Sequence, residues 1–241
     1  MSAPPRILIA GDSALIAEYG RAVDRETNAR VRRLDARLTS MARHGILETV
    51  PTYRSLTVHY DPLVLPHADV ERLVLEADGT AGDPGGAGRT LEIPVVYGGE
   101  SGPDLADVAA LNHLGEDEVV AIHAAGTYLV FMLGFMPGFP YLGGLSPRIA
   151  APRLATPRTT VPAGSVGIAG EQTGIYPTES PGGWRIIGQT PVRLFDASAS
   201  PPALFAAGDL VRFRPISRAA FDEIARTVSS GTYAPVVHAG R

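Results

Sequence analysis

The chain has 241 residues, 45% of them apolar, with a formal net charge of −4 and no cysteine. That length suits one large or two small domains around a real core, the charge gives no footprint for nucleic acid, and the missing thiols exclude disulfides, thiolate nucleophiles and cysteine-ligated zinc. All 21 lysine-plus-arginine residues are arginine, which removes a Walker A lysine, a Schiff-base amine and a biotin carrier.

In chain order, residues 6–10 and 14–19 read as two short strands around the turn Gly11-Asp12-Ser13. Over 23–41, Val31, Leu34, Leu38 and Met41 recur at helical spacing with arginine and aspartate opposite, which predicts an amphipathic helix. Residues 46–52 and 55–60 are strand-like runs, closed by Asp61-Pro62, and 68–77 is a second helix with Asp69 near its N-terminus. This order argues for a small α+β domain over residues 1–80. The stretch 81–89 is Gly-rich, lacks bulky apolar side chains and reads as a linker.

The second domain, 90–228, opens with a strand at 90–97. A helix follows over 104–114, with Leu105, Val108, Leu111 and Leu114 on one face, then a short helical piece at 116–124 and a strand at 127–133. Further strands are expected at 185–188, 191–195 and 210–214, a closing helix at 217–227, and a loosely held tail over 229–241. Many short strands punctuated by Gly and Pro favour a barrel or sandwich. No apolar run approaches the ~20 residues that span a bilayer, and the start lacks the features of a signal peptide, so no membrane association and a cytoplasmic location are expected.

Residues 134–184 hold ten Gly and eight Pro among 51 residues. They also carry Phe135, Phe139, Tyr141, Ile168, Ile175, Tyr176 and Trp184, and only two acidic residues. Disordered segments are poor in such side chains, so the segment reads as a long loop in one conformation, either a ligand or partner surface or a set of tight barrel turns.

Several residues have chemistry to offer. His123, just before the strand that feeds this segment, is either a proton shuttle or a buried, hydrogen-bonded core histidine. Arg148, Arg153 and Arg158 recur every five residues, each directly after proline. They suit a carboxylate or phosphate, or equally pair with Glu171 and Glu179 or with loop carbonyls. Gly164-Ser165-Val166-Gly167 lacks the spacing of a nucleophile elbow. Gln172, Thr173, Tyr176 and Ser180 are neutral hydrogen-bonding groups suited to an amide ligand, and Trp184 walls a pocket or fills the core. The six histidines, at 44, 59, 67, 113, 123 and 238, show no HxH or HExxH spacing, so no metal is expected.

The longest ordered runs are Gly134-Phe135-Met136-Pro137-Gly138-Phe139-Pro140-Tyr141-Leu142, Pro157-Arg158, residues 161–170 (VPAGSVGIAG), Gln172-Thr173-Gly174-Ile175-Tyr176-Pro177 and Ser180-Pro181-Gly182-Gly183-Trp184. With these runs the chain resembles the PxpB/KipI family, also called allophanate hydrolase subunit 1, from Gly11 to Phe213. Gln189 departs from the pattern, which has Arg there. The resemblance implies an α+β N-terminal domain followed by a cyclophilin-like β-barrel. It implies a non-autonomous subunit of an ATP-dependent 5-oxoprolinase, opening 5-oxoproline to glutamate. The partners implied are a second cyclophilin-like subunit of the PxpC (allophanate hydrolase subunit 2) type and a third of the PxpA type. ATP would be used by the assembled complex and no cofactor bound by this chain alone. The family also admits a KipI-like inhibitor of a histidine kinase, or a subunit of a urea/allophanate-type amidohydrolase or carboxyltransferase.

Within that reading, Arg158 would hold the substrate carboxylate. Gln172, Thr173 and Tyr176 would bind the lactam, and His123 would move a proton near the Pro137-Gly138-Phe139 turn. Phe135, Pro137, Gly138, Phe139, Tyr141, Pro162, Gly164, Ser165, Ser180, Gly183 and Trp184 would form the loop or partner surface.

Overall fold

The computed structural model describes residues 3–79 and 88–238. The chain divides into two compact units, residues 1–87 and 88–241. The linker expected at 81–89 lies, apart from residues 88 and 89, outside the described residues.

The first unit contains β1 (Arg6–Ile9), β2 (Ala14–Glu18), α1 (Arg25–Met41), β3 (Ile46–Pro51), β4 (Ser55–Tyr60) and α2 (His67–Gly79). The strands form an antiparallel sheet in the order β1-β2-β4-β3. Along β4, Leu56, Val58 and Tyr60 alternate inward, as the two-residue period of a one-sided sheet requires. They meet Val31, Leu34 and Leu38 of α1 and Val70 and Val74 of α2 in one core. Asp24 caps α1, its side chain accepting from the Thr27 amide at 2.8 Å.

The second unit is a barrel with helices against it. Its elements are β5 (Thr90–Tyr97), α3 (Leu105–Leu111), α4 (Glu116–Ala125), β6 (Tyr128–Leu133), β7 (Pro140–Gly143), β8 (Arg158–Val161), β9 (Ser165–Ala169), β10 (Gln172–Ile175), β11 (Ser180–Gly182), β12 (Arg185–Gln189), β13 (Leu210–Pro215), α5 (Arg218–Ser229) and β14 (Val236–His238). The strands run β12-β9-β10-β7-β6-β13-β5, and β5 pairs back onto β12 through Val96 and Tyr97, closing a seven-strand ring. Closure removes most of the free edge of the sheet. β13 runs parallel to β5, and the other ring pairings are antiparallel. Leu91, Ile93, Val95, Val130, Leu142, Val166, Ile168, Ile187, Val211 and Phe213 belong to its core.

Three expectations change. The Gly/Pro-rich segment 134–184 is not one long loop: it contributes β7 to β11, strands of three to five residues. Such strands are too short to show a clear period, and their glycines admit neighbouring chains and rings at close range. Residues 191–195 form no strand, only an isolated bridge from Phe195 to Ala203. The stretch expected as a loose tail carries β14, paired antiparallel with Thr90–Glu92 of β5, because β12 covers that edge only at Val96 and Tyr97.

Candidate functional site: an aromatic cavity with an unpaired arginine

The loop between β6 and β7 folds on itself, with the Gly134 amide donating to the Phe139 carbonyl at 3.2 Å and the Phe139 amide to the Met136 carbonyl at 3.1 Å. Phe135 has φ +68 in this loop and is 63% exposed. A non-glycine held in the left-handed region costs about 1–2 kcal/mol, and such strain concentrates at ligand clamps and switch regions. The loop turns Phe139 inward until it is 1% exposed.

Phe139 is the hub of an aromatic cluster. Its ring centroid lies 5.0 Å from Tyr141, 5.3 Å from Tyr176, 5.4 Å from Trp184 and 5.7 Å from Phe135. The contacts to Phe135, Tyr176 and Trp184 are edge-on, the arrangement favoured by the ring quadrupole. Gly174 permits this packing: a Cβ there would sit 2.9 Å from both Phe139 Cζ and Trp184 Cζ3.

These rings wall a cavity of about 370 Å³, completed by Arg153, Pro157 and residues 181–183. Arg153 is its one charged lining residue. It is exposed and, among the described residues, has no ion-pair or hydrogen-bond partner. Burial pushes the Tyr141 and Tyr176 phenols above the ordinary range; the Arg153 charge opposes this at Tyr141, and at Tyr176 it does so behind a hydrogen bond from the Trp184 backbone and together with Arg158. The result is an apolar aromatic wall facing one uncommitted cation, suited to a small apolar ring that bears an acid.

Tyr176 lies in this cavity with Phe135, Phe139, Tyr141, Gly183 and Trp184. Of the four residues expected to converge, Arg158 and Tyr176 lie within electrostatic reach of each other, but only Tyr176 lines the cavity. His123 is completely buried on α4, whose inward residues are Val119 and His123, four apart on one helix face. Thr173 Oγ1 donates to the Gly167 carbonyl at 2.9 Å. The 3.0 Å contact from His123 Nε2 to the same oxygen is therefore an N–H donation by the imidazole. Nδ1 is left to accept from the Tyr97 hydroxyl at 2.7 Å, and the ring stacks on Phe213 at 4.5 Å. Burial lowers its pKa to about 3, so His123 is a neutral core histidine with no route to a substrate.

Arg158 is also committed elsewhere. Its two terminal nitrogens grip Asp104 at 2.7 and 2.8 Å, and the Ile186 amide donates to the same carboxylate at 2.7 Å. The Asp104 hydrogen bond is the main reason the Arg158 pKa rises. This pair ties the start of β8 to the head of α3. Thr173 is absorbed in the His123 network, and Gln172 stands at the start of β10, paired with Gly143 and Ala169 and outside the cavity lining.

Pro162, Gly164 and Ser165 form the turn into β9, where the Gly164 amide donates to the Tyr176 carbonyl at 2.7 Å and the Thr190 amide to the Gly164 carbonyl at 2.9 Å. That turn is barrel architecture. Pro137 and Gly138 shape the β6–β7 loop, Gly138 at φ +80, and Ser180 opens β11 opposite Val161. Gln189, at the position where arginine was expected, donates to the Ala163 carbonyl at 2.9 Å and braces the same β8–β9 turn. Arg153 is what sequence reasoning missed. Its place in the five-residue arginine spacing drew attention to it, but spacing could not tell it from Arg158.

A second cavity in the same unit, about 410 Å³, is lined by Val192, Leu194, Pro201, Pro202, Val228 and Tyr233 with Arg89 and Arg193. Both arginines are spoken for, by Asp209 at 2.6 Å and Asp196 at 3.0 Å, so neither is a free charge for an acid. Among the described residues no cluster of three or more His, Asp or Glu could hold a metal ion, and no helix is long and apolar enough to cross a membrane.

Comparison with known proteins fits this architecture. Residues 5–205 match the family described as carboxyltransferase domain, subdomain C and D. The B-type subunit of 5-oxoprolinase from Bacillus subtilis is 46% identical over 221 residues, covering 86% of this chain and 91% of the relative. The chain belongs to the family of B-type 5-oxoprolinase subunits, within the carboxyltransferase-domain group.

Two solved structures place the fold of this B-type 5-oxoprolinase family member. The protein TTHA0988 is 38% identical with a TM-score of 0.76, over 85% of this chain. This chain spans only 40% of the length of TTHA0988. The K. lactis urea amidolyase superposes over 98% of this chain with a TM-score of 0.80 at 20% identity, a likeness of fold alone, and this chain spans 16% of its length. The fold implied by the family resemblance, an α+β unit followed by a cyclophilin-like barrel, is the one observed.

Proposed function

We propose that this chain is the B-type component of an ATP-dependent 5-oxoprolinase. The observation that carries this reading is its 46% identity, over nearly the whole length of both proteins, with the B-type 5-oxoprolinase component of Bacillus subtilis. The chemistry is hydrolysis of a lactam. The ring C–N bond breaks, water supplies the oxygen of the new carboxylate and the proton of the freed amine, and ATP drives the opening. With no lysine in the chain there is no P-loop in it, in keeping with ATP being used by the assembled complex. The partners are a second cyclophilin-like subunit of the PxpC type and a third of the PxpA type, in the cytoplasm.

Reconstitution tests this. The purified chain alone is expected to release no phosphate from ATP in the presence of 5-oxoproline. The chain mixed with both partner subunits is expected to form glutamate and phosphate together. Turnover by the chain alone, or a reconstituted complex inert toward 5-oxoproline, would overturn the assignment.

A further inference from the structure

The proposed activity leaves open where this chain meets the substrate. A 5-oxoproline molecule presents three features: a small flat ring, a lactam, and an α-carboxylate that is ionised near neutral pH. The ring needs an apolar wall, and the carboxylate needs a cation not already neutralised. Among the described residues of the barrel unit, the cavity around Phe139 offers both.

Its wall is the Phe139, Tyr141, Tyr176 and Trp184 cluster. Its cation is Arg153, exposed at the rim and, among the described residues, with no carboxylate of its own. Arg158, only five residues on, is closed off by Asp104, and the arginines of the other large cavity are paired. The half-buried Tyr141 hydroxyl stands within the field of Arg153, where it can hydrogen-bond a lactam.

We infer that this aromatic cavity is the chain's binding site for the cyclic amide substrate, with the α-carboxylate held by Arg153 and the ring laid against Tyr141 and Phe135, over the buried Phe139 and Trp184. The assignment rests on the 5-oxoprolinase reading, and it names Arg153 as a binding residue. The strained Phe135, edge-on to Phe139 and mostly exposed, forms the outer lip of the site.

The molecule carries its own probe, because Trp184 is the chain's single tryptophan. Trp184 emission of the full-length chain should respond saturably to 5-oxoproline. It should respond far more weakly to 2-pyrrolidinone, which has the ring and lactam but no carboxylate. Arg153→Gln should raise the dissociation constant for 5-oxoproline by about ten- to a hundredfold and leave the 2-pyrrolidinone response unchanged, and Arg153→Lys should recover part of the loss. In the complex reconstituted with its partners, Arg153→Gln should raise KM by a similar factor with assembly on size exclusion intact.

An unchanged KM in a reconstituted Arg153→Gln enzyme would refute the site and leave the 5-oxoprolinase reading standing. Loss of assembly with the variant still folded would make the cavity a docking surface for another chain, and would refute it too. A wild-type complex that does not hydrolyse 5-oxoproline would strike the functional reading itself, while the Trp184 titration would still decide whether the cavity binds the lactam acid.

Discussion

Acidification should destabilise the barrel unit through His123. In the folded chain the imidazole is sealed between Tyr97, Thr173 and Phe213, and its pKa is lowered to about 3 by burial. In the unfolded chain it titrates near 6.5. Between these values the unfolded state binds the extra proton, so stability is complete above about pH 6.5 and is lost as pH falls toward 3. At pH 4.5, two units below the unfolded value, the loss is about 2.7 kcal/mol at about 1.36 kcal/mol per unit.

Urea unfolding followed by Trp184 emission, which reports on the barrel unit, measures this at pH 7 and 4.5. Other groups titrate over the same range, so the comparison is with His123→Gln. The variant should be less stable at pH 7, having lost the stack on Phe213, but its decline toward pH 4.5 should be shallower than the wild type's by about 2–3 kcal/mol. Equal declines in the two proteins would refute the claim that His123 is held neutral. A nitrogen-15 spectrum showing a proton on Nε2, and none on Nδ1, would check the tautomer independently.

Two further substitutions separate architecture from site. Arg158→Ala leaves the Asp104 carboxylate with the Ile186 amide alone and should lower barrel stability by about 2 kcal/mol, read by denaturant unfolding, with far less effect on substrate affinity than Arg153→Gln. Gly174→Ala puts a Cβ 2.9 Å from two aromatic rings and should cost about 1–3 kcal/mol, with a shift in Trp184 emission as the cluster is pushed apart.

How far the sequence disclosed this protein depends on element length. The helix over 25–41 and the strand over 55–60 were legible because their apolar spacing is regular and one-sided. The strands from Pro140 to Gly182 were not, since three to five residues rich in Gly and Pro carry no clear period. The same holds for the site. The sequence marked Phe139, Tyr141, Tyr176 and Trp184 as a group by their density. It could not show that α4 turns His123 into the core. Nor could it show that Asp104, 54 residues before Arg158, claims that arginine while Arg153 has no carboxylate partner among the described residues. Competition between partners distant in sequence is settled only by the closed barrel.

That closure has a consequence for synthesis. β5 is among the first parts of the barrel to leave the ribosome, and its parallel neighbour β13 among the last: the Arg89–Asp209 pair beside their junction spans 120 residues. At about 5–20 residues per second of translation, the β13-facing edge of β5 waits roughly ten seconds for its partner. During that interval the nascent chain presents an open apolar strand edge, the form most prone to pair with a neighbour on the same polysome. Slow elongation through residues 90–210 should therefore raise the insoluble fraction of this protein more than slow elongation through residues 1–80, whose four strands find one another over short distances.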